Sequence, residues 1–197
     1  ISDEDMWKQL QKEYKDKYDM SWIGQYGFNN TYALIVREEA AKKYNLTKTS
    51  QLAEVSDELV FGGNSDYIER KDGFHLLCDT YGLKFKDVKD IDIGLKYEAL
   101  KKGDIDVSNG FTTDAQLSND NVRVLEDDKH LQVNYFCSNV VRNDTLKSHP
   151  GLEEAIMKLD NSITDKEMAS LNYKVEVEGK EDVQVAKDYL TEKGIIK

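Results

Sequence analysis

Gly27-Phe28-Asn29-Asn30-Thr31-Tyr32-Ala33-Leu34-Ile35-Val36-Arg37 is the stretch on which the reading of this chain turns. Tyr32 to Arg37 is a run of aliphatic, β-branched and aromatic residues that reads as a strand, and Glu38 to Tyr44 reads as the helix after it. An aromatic side chain therefore stands at the start of a strand. Phe111 and Tyr135 repeat that placement further along. A ring face attracts a cation while asking little of it in hydration, so such rings suit a greasy, permanently charged cation.

Outward from this stretch, strands and helices alternate. Trp7, Leu10, Tyr14 and Tyr18 fall at three- and four-residue steps, which predicts an amphipathic helix, and Ser21-Trp22-Ile23 is a short strand candidate. Thr49-Ser50 can cap a short helix through Val55. Leu59-Val60-Phe61 ends at Gly62-Gly63 as a buried strand before a turn, and a helix opened by Asp72 or Gly73 closes at Gly82. Further strands are expected at Val88 to Ile93, Asp104 to Phe111, Val122 to Leu125 and Val133 to Arg142. Helices are expected at Leu95 to Leu100, from Thr113 to Leu117, at Leu152 to Leu159, and after the capping box Thr164-Asp165-Lys166-Glu167. A final helix runs through Val183, Ala186 and Tyr189 to Gly194. The pattern implies an α/β layer fold with largely parallel pairing, in which ligands bind outside strand ends.

Composition narrows the function classes. The chain has 197 residues, is 39% apolar and 33% charged, and carries a net charge of −11 from 27 basic and 38 acidic residues. Such a balance opposes phosphate backbones and anionic lipid surfaces, so nucleic acid is not expected as a partner. No apolar run approaches the ~18 residues needed to span a bilayer, and no signal peptide opens at Ile1. Cys78 and Cys137 lie far apart in apolar surroundings and read as buried, reduced thiols. His75, His130 and His149 have no metal-ligand spacing, and Asp90-Ile91-Asp92 offers too few ligands, so no metal and no cofactor is expected. Neither a Gly-x-Ser-x-Gly elbow nor a Walker loop is present, and no enzyme is expected. For a tyrosine taken at random among the eleven, amphipathic packing is the better reading. Tyr32, Phe111 and Tyr135 stand apart by their place at strand ends.

A set of motifs then carries a resemblance over nearly the whole chain. These are Tyr26-Gly27-Phe28-Asn29-Asn30-Thr31-Tyr32-Ala33, Leu59-Val60-Phe61-Gly62-Gly63, Asp72-Gly73 with Tyr81-Gly82-Leu83, Asp92-Ile93-Gly94-Leu95-Lys96-Tyr97, Thr113-Asp114, Leu125-Glu126-Asp127-Asp128-Lys129, Val140-Val141-Arg142, Leu171-Asn172-Tyr173-Lys174-Val175 and Val177-Glu178-Gly179-Lys180. In this order the chain resembles the substrate-binding proteins, free or fused to a permease, of ABC importers for glycine betaine, choline and carnitine.

The resemblance implies a periplasmic-binding-protein-like (type II) bilobal α/β fold. Residues 30–134 would form lobe two, and 1–29 with 135–197 a partial lobe one lacking its N-terminal part. It implies a cage of Tyr32, Phe111 and Tyr135 around a trimethylammonium group and Arg70 facing a ligand carboxylate, and Asn30, in the same motif as Tyr32, is expected as a further ligand-binding residue. The implied ligand is glycine betaine, carnitine, choline or a related betaine such as ergothioneine, delivered to an ABC permease. The implied location is extracytoplasmic, held to the membrane by a lipid anchor or a fused permease. Val133-Asn134-Tyr135-Phe136 replaces a common Pro-Pro-Tyr-Tyr, and Phe74-His75-Leu76-Leu77 a Tyr-Pro-Gly-Leu, which bears on the ligand's identity more than on its class. A partial lobe one also predicts exposed apolar surface, with dimerisation or strand exchange as its outcome. The alternative function is the ligand-sensing effector domain of a transcription regulator, which uses the same lobes but needs a helix-turn-helix that this chain does not show.

Overall fold

The structure, a computed structural model, describes residues 1–118 and 121–197. Its elements run α1 (Asp3–Tyr18), β1 (Met20–Asn29), β2 (Tyr32–Arg37), α2 (Glu38–Lys43), β3 (Val60–Gly63), α3 (Ser65–Glu69), α4 (Phe74–Tyr81), β4 (Asp87–Asp90), α5 (Lys96–Lys102), β5 (Val107–Phe111), β6 (Val122–Leu125), β7 (Phe136–Arg142), α6 (Asn143–Ser148), α7 (Leu152–Met157), α8 (Asp165–Glu176) and α9 (Asp182–Glu192). Short 3-10 turns occupy Thr49–Glu54, Ser56–Glu58 and Ala115–Ser118. The chain divides into two compact units, residues 31–133 and residues 1–30 with 134–197.

In the 31–133 unit a five-stranded sheet has the order β4-β3-β5-β2-β6. Alternate residues of β2 serve opposite faces, as the pleat requires. Leu34 and Val36 join a cluster with Ala40, Ala41, Leu52, Phe61, Phe74, Leu77 and Tyr81, while Ile35 joins Ala99, Leu100 and Ile105. Both faces are therefore covered, by α2 and α4 on one side and α5 on the other. The edge strand β4 is exposed throughout and carries Asp87, Lys89 and Asp90, charges that discourage a further strand from adding there.

The expectation of largely parallel pairing is corrected. β3 is parallel to both β4 and β5, but β2 is antiparallel to both of its neighbours, β5 and β6. The reason is its approach. Only Asn30 and Thr31 separate β1 from β2, so no crossover helix brings β2 into the sheet in the common direction.

The other unit is built on a two-stranded antiparallel ribbon of β1 and β7. β1 is ten residues long rather than three, because register shifts on either side of Gln25 absorb Gly24 and Gly27, both at positive φ, without ending the ladder. At Gly27 a Cβ would come within 2.8 Å of the Ile163 carbonyl oxygen, so this close approach requires glycine. β7 starts at Phe136 rather than Val133. Just before it, Asn29 donates from Nδ2 to Asn134 Oδ1 (2.6 Å) and accepts the Tyr135 N–H at Oδ1 (2.6 Å). α1 is capped by Ser2, whose hydroxyl accepts the Asp5 N–H, and its acidic first turn and basic last turn suit the helix dipole. Its aromatic residues meet the ribbon edge-on, with Trp7 and Trp22 centroids 5.7 Å apart and Tyr14 and Trp22 5.1 Å apart. α8 opens with the reciprocal capping box of Thr164 and Glu167.

Candidate functional site

The strand directions bring one end of the 31–133 sheet together from several elements. β3 and β5 finish there, and β2, running the other way, begins there. Tyr32 and Phe111 are directly opposed residues of the β2–β5 ladder, so their side chains share a face. Their ring centroids lie 5.0 Å apart at an interplanar angle of 25°. Tyr67 of α3 closes on Tyr32 at 5.2 Å, tilted by 55°, and Phe61 follows at 6.3 Å from Tyr67. Tyr32 and Phe111 are half-buried, whereas Tyr67 is buried. Burial, with the neighbouring Tyr32 next, raises the Tyr67 phenol far above its ordinary range.

Two glycines make room for this corner. A Cβ on Gly63 would sit 2.9 Å from Asn109 Oδ1 and from a Phe61 ring carbon. A Cβ on Gly110 would meet Ile35 Cδ1 at 2.1 Å, Asp114 Oδ2 at 2.9 Å and the Tyr97 hydroxyl at 3.1 Å. The space that a side chain would take at Gly110 is filled by Ile35 and by a polar cluster. Asp114 Oδ2 accepts from the Tyr97 hydroxyl (2.6 Å), from the Phe111 N–H (3.1 Å) and from Lys96 Nζ (3.1 Å).

Arg70 caps the C-terminus of α3 and is exposed. Asp72 already grips its guanidinium in fork geometry, with Nε to Oδ1 at 2.9 Å and Nη2 to Oδ2 at 2.8 Å. These bonds, and then the nearby Tyr32, hold the arginine further into its charged range, and Arg70 in turn lowers the Asp72 carboxyl. Gly73 shapes the same loop, since a Cβ there would lie 2.1 Å from the Tyr67 carbonyl oxygen.

The structure thus brings Tyr32, Phe111 and the Arg70 loop to one end of a single sheet. Tyr135 and Asn30 belong to the other unit. There Tyr135 is 51% exposed, and its carbonyl accepts the Asn30 N–H at 3.2 Å.

Tyr67, Lys96 and Asp114 escape the sequence reading as site residues. For Lys96 a signal exists: with Ala99 and Leu100 it completes an i, i+3, i+4 set, and all three are buried. The quoted Asp127 and Asp128 prove to be joinery. Asp127 accepts from the Tyr81 hydroxyl and from the N–H groups of Leu131 (3.1 Å) and Gln132 (2.7 Å), and Asp128 accepts the Ser50 N–H at 3.1 Å.

Among the described residues no group of His, Cys, Asp and Glu could hold a metal ion. Likewise no described helix is long and apolar enough to cross a membrane. Cys78 and Cys137 are free and half-buried rather than fully buried, and burial pushes the Cys78 thiol up to about 11, away from reactivity.

This mixed α/β architecture is that of the type II periplasmic binding proteins. Residues 3–192 match the family described as the substrate binding domain of ABC-type glycine betaine transport systems, OpuAC, and the chain belongs to that family. It is 38% identical over 186 residues to the ergothioneine transport permease/ergothioneine binding protein EgtU of Helicobacter pylori, covering 94% of this chain and 34% of that protein. It is 36% identical over 182 residues to the carnitine transport binding protein OpuCC of Listeria monocytogenes, covering 92% of this chain and 59% of that one. The chain thus spans between a third and three-fifths of these relatives' lengths. A crystal structure described as a glycine betaine/carnitine/choline ABC transporter superposes with a TM-score of 0.91 at 36% identity, covering 98% of this chain and 71% of that one. The family is one of transport binding domains, not of enzymes.

Proposed function

We propose that this chain is part of a receptor that binds a quaternary ammonium solute and presents it to an ABC import permease. The candidates are glycine betaine, carnitine, choline and ergothioneine. The observation that carries this reading is the opposed pair Tyr32 and Phe111, 5.0 Å apart at a sheet end, in a chain of the glycine betaine binding family. Half-buried ring faces offer a desolvated surface that favours a trimethylammonium group at about 1–2 kcal/mol per contact. Tyr135 supplies a third ring and Asn30 a polar neighbour, with residues 30–134 serving as lobe two and residues 1–29 and 135–197 as part of lobe one. Binding would favour a closed arrangement of the lobes that the permease recognises. The receptor would work outside the cytoplasm, tethered by a lipid anchor or a fused permease.

Arg70 would meet a ligand carboxylate, which must share the guanidinium with Asp72. Titration calorimetry of the full-length protein with betaine, carnitine, choline and ergothioneine tests the reading, and absence of heat with all four overturns it. Arg70→Ala should weaken betaine or carnitine about tenfold more than choline, which has no carboxylate to lose. Equal losses would make Arg70 a loop brace only.

Dimerisation or strand exchange belongs to the same proposal. It is supported by a groove of about 390 Å³ between α8 and α9, lined by apolar side chains such as Met168, Leu171, Val175, Val185 and Leu190. A concentration-independent monomer in light scattering would remove it.

A further inference from the structure

Lys96 is the one lysine among the buried polar and charged residues described, at 6% exposure, and its ammonium lies near a ring of the proposed cation site. Nζ lies 5.9 Å from the Phe111 ring centroid and 5.1 Å from that of Tyr97. A fixed positive charge there opposes a second cation on the same ring, because two like charges in a poorly solvated corner repel with little screening. The arrangement suits a cation receptor only if that charge is cancelled locally. Asp114 does so at 3.1 Å, and the same oxygen holds the Phe111 N–H and the Tyr97 hydroxyl. The turn is tied a second time by the Asp114 N–H to the Phe111 carbonyl at 3.0 Å.

We infer that Asp114 is a positioning and charge-compensating residue of the ligand site, and that the Lys96–Asp114 pair sets how strongly the site prefers a cation over an uncharged molecule of the same shape. This inference rests on the proposed quaternary ammonium site. Asp114 touches no ligand in this scheme. It anchors the backbone of Phe111 and screens the ring from Lys96, while Gly110 keeps open the space in which its carboxylate sits. The two partners of the pair should therefore act in opposite directions on selectivity, which a merely structural ion pair does not do.

The test uses the full-length protein and two matched pairs of probes: choline with its uncharged carbon isostere dimethylbutanol, and glycine betaine with dimethylbutanoate. The quantity read is the affinity ratio of each ammonium ligand to its isostere. Asp114→Asn keeps the shape and the acceptor for Phe111 but leaves Lys96 uncompensated, and should lower the ratio by roughly tenfold. Lys96→Met leaves the carboxylate unopposed and should raise the ratio by roughly threefold or more. The double variant should return it to within about threefold of the parent, even though two residues have changed. If both single variants lower affinity for cation and isostere alike, the pair is structural and the inference fails. The same follows if Lys96→Met leaves the ratio unmoved, and this variant keeps the test decisive should Asp114→Asn not fold. Parent protein that binds neither ammonium ligand overturns the site itself, a result distinct from a parent that binds with an unaltered ratio in the variants.

Discussion

The two units of this chain are made of the same kinds of element but are finished to different degrees. In residues 31–133 both faces of the sheet are covered, and Ile35, Val36, Leu52, Phe61, Leu100, Ile105 and Val107 reach 0% exposure. In residues 1–30 with 134–197 the sheet has two strands, and the most buried apolar residues described are Ile23 and Ala169 at 4%. Tyr18, Tyr135, Val140, Met157, Val177 and Val183 of that unit are exposed. A two-stranded ribbon is marginal by itself, whereas a sheet covered on both sides supports itself. The difference teaches that one unit holds its aromatic corner on a sheet with two buried faces, while the other rests on a ribbon, its edge-on aromatic contacts and helix caps.

The largest expected effect tests that contrast directly. Phe61→Ala should cost about 3–5 kcal/mol in the 31–133 unit, while Val185→Ala in the other should cost about 1 kcal/mol. The chain's two tryptophans, Trp7 and Trp22, both lie in the second unit, so their fluorescence follows it alone while far-UV circular dichroism follows both. The fluorescence transition in urea should come first in the parent protein, and Phe61→Ala should close the gap. Coincident transitions, with equal costs for the two substitutions, would erase the distinction.

Ring removal sharpens it at smaller scale. Tyr32→Ala and Phe111→Ala should each lower affinity for a quaternary ammonium ligand by about 1–2 kcal/mol, roughly tenfold. Tyr32 packs against the core cluster, so its loss should also lower the unfolding midpoint. Tyr135→Ala, at a half-exposed position, should weaken binding with little change in stability. A fall in stability as large as that of Tyr32→Ala would mean that Tyr135 is a packing residue.

The smallest effects concern the caps. Thr164→Ala should cost about 1 kcal/mol by removing the acceptor for the Glu167 N–H. Lys193, followed by the backbone and side chain of Thr164, depresses Glu167 from 4.5 to about 2. A depressed carboxyl contributes stability that is present above its unfolded value and is lost as pH falls through its folded value. Tryptophan-monitored stability should therefore decline between about pH 4.5 and 2, and Glu167→Gln should flatten that part of the profile. An unchanged slope in the variant would show that Lys193 and Glu167 do not meet in solution.

Much of this was readable in the residues because it is local. The Thr164–Glu167 box, the positive-φ stop at Gly82 and the aromatic spacing of α1 each depend on neighbours within a few positions. The length of β1 was hidden by Gly24 and Gly27, which look like turn signals but sit in bulges. The reversed direction of β2 is a tertiary property that periodicity does not carry. Tyr32 and Phe111 could each be singled out by position, yet their pairing needs the register between residues 79 positions apart in the chain (111 − 32). Lys96 was passed over because a lysine carries no burial signal of its own, although its spacing to Ala99 and Leu100 pointed inward.

The opposition of Tyr32 and Phe111 on adjacent strands has a consequence for how such a site diversifies. A ladder is a ruler: its rung spacing is set by main-chain hydrogen bonds that no side chain can stretch. Two rings hung on one rung keep their separation whatever is grown on them, so a new guest is accommodated by exchanging the pendants and leaving the ruler alone. Slipping the ruler by one notch would set Ala33 against Phe111 and turn Tyr32 to the opposite side. Variation at 32 and 111 is thus graded, whereas variation in strand registration is all or nothing, and a lineage can wander among related guests without ever passing through an unfolded ancestor.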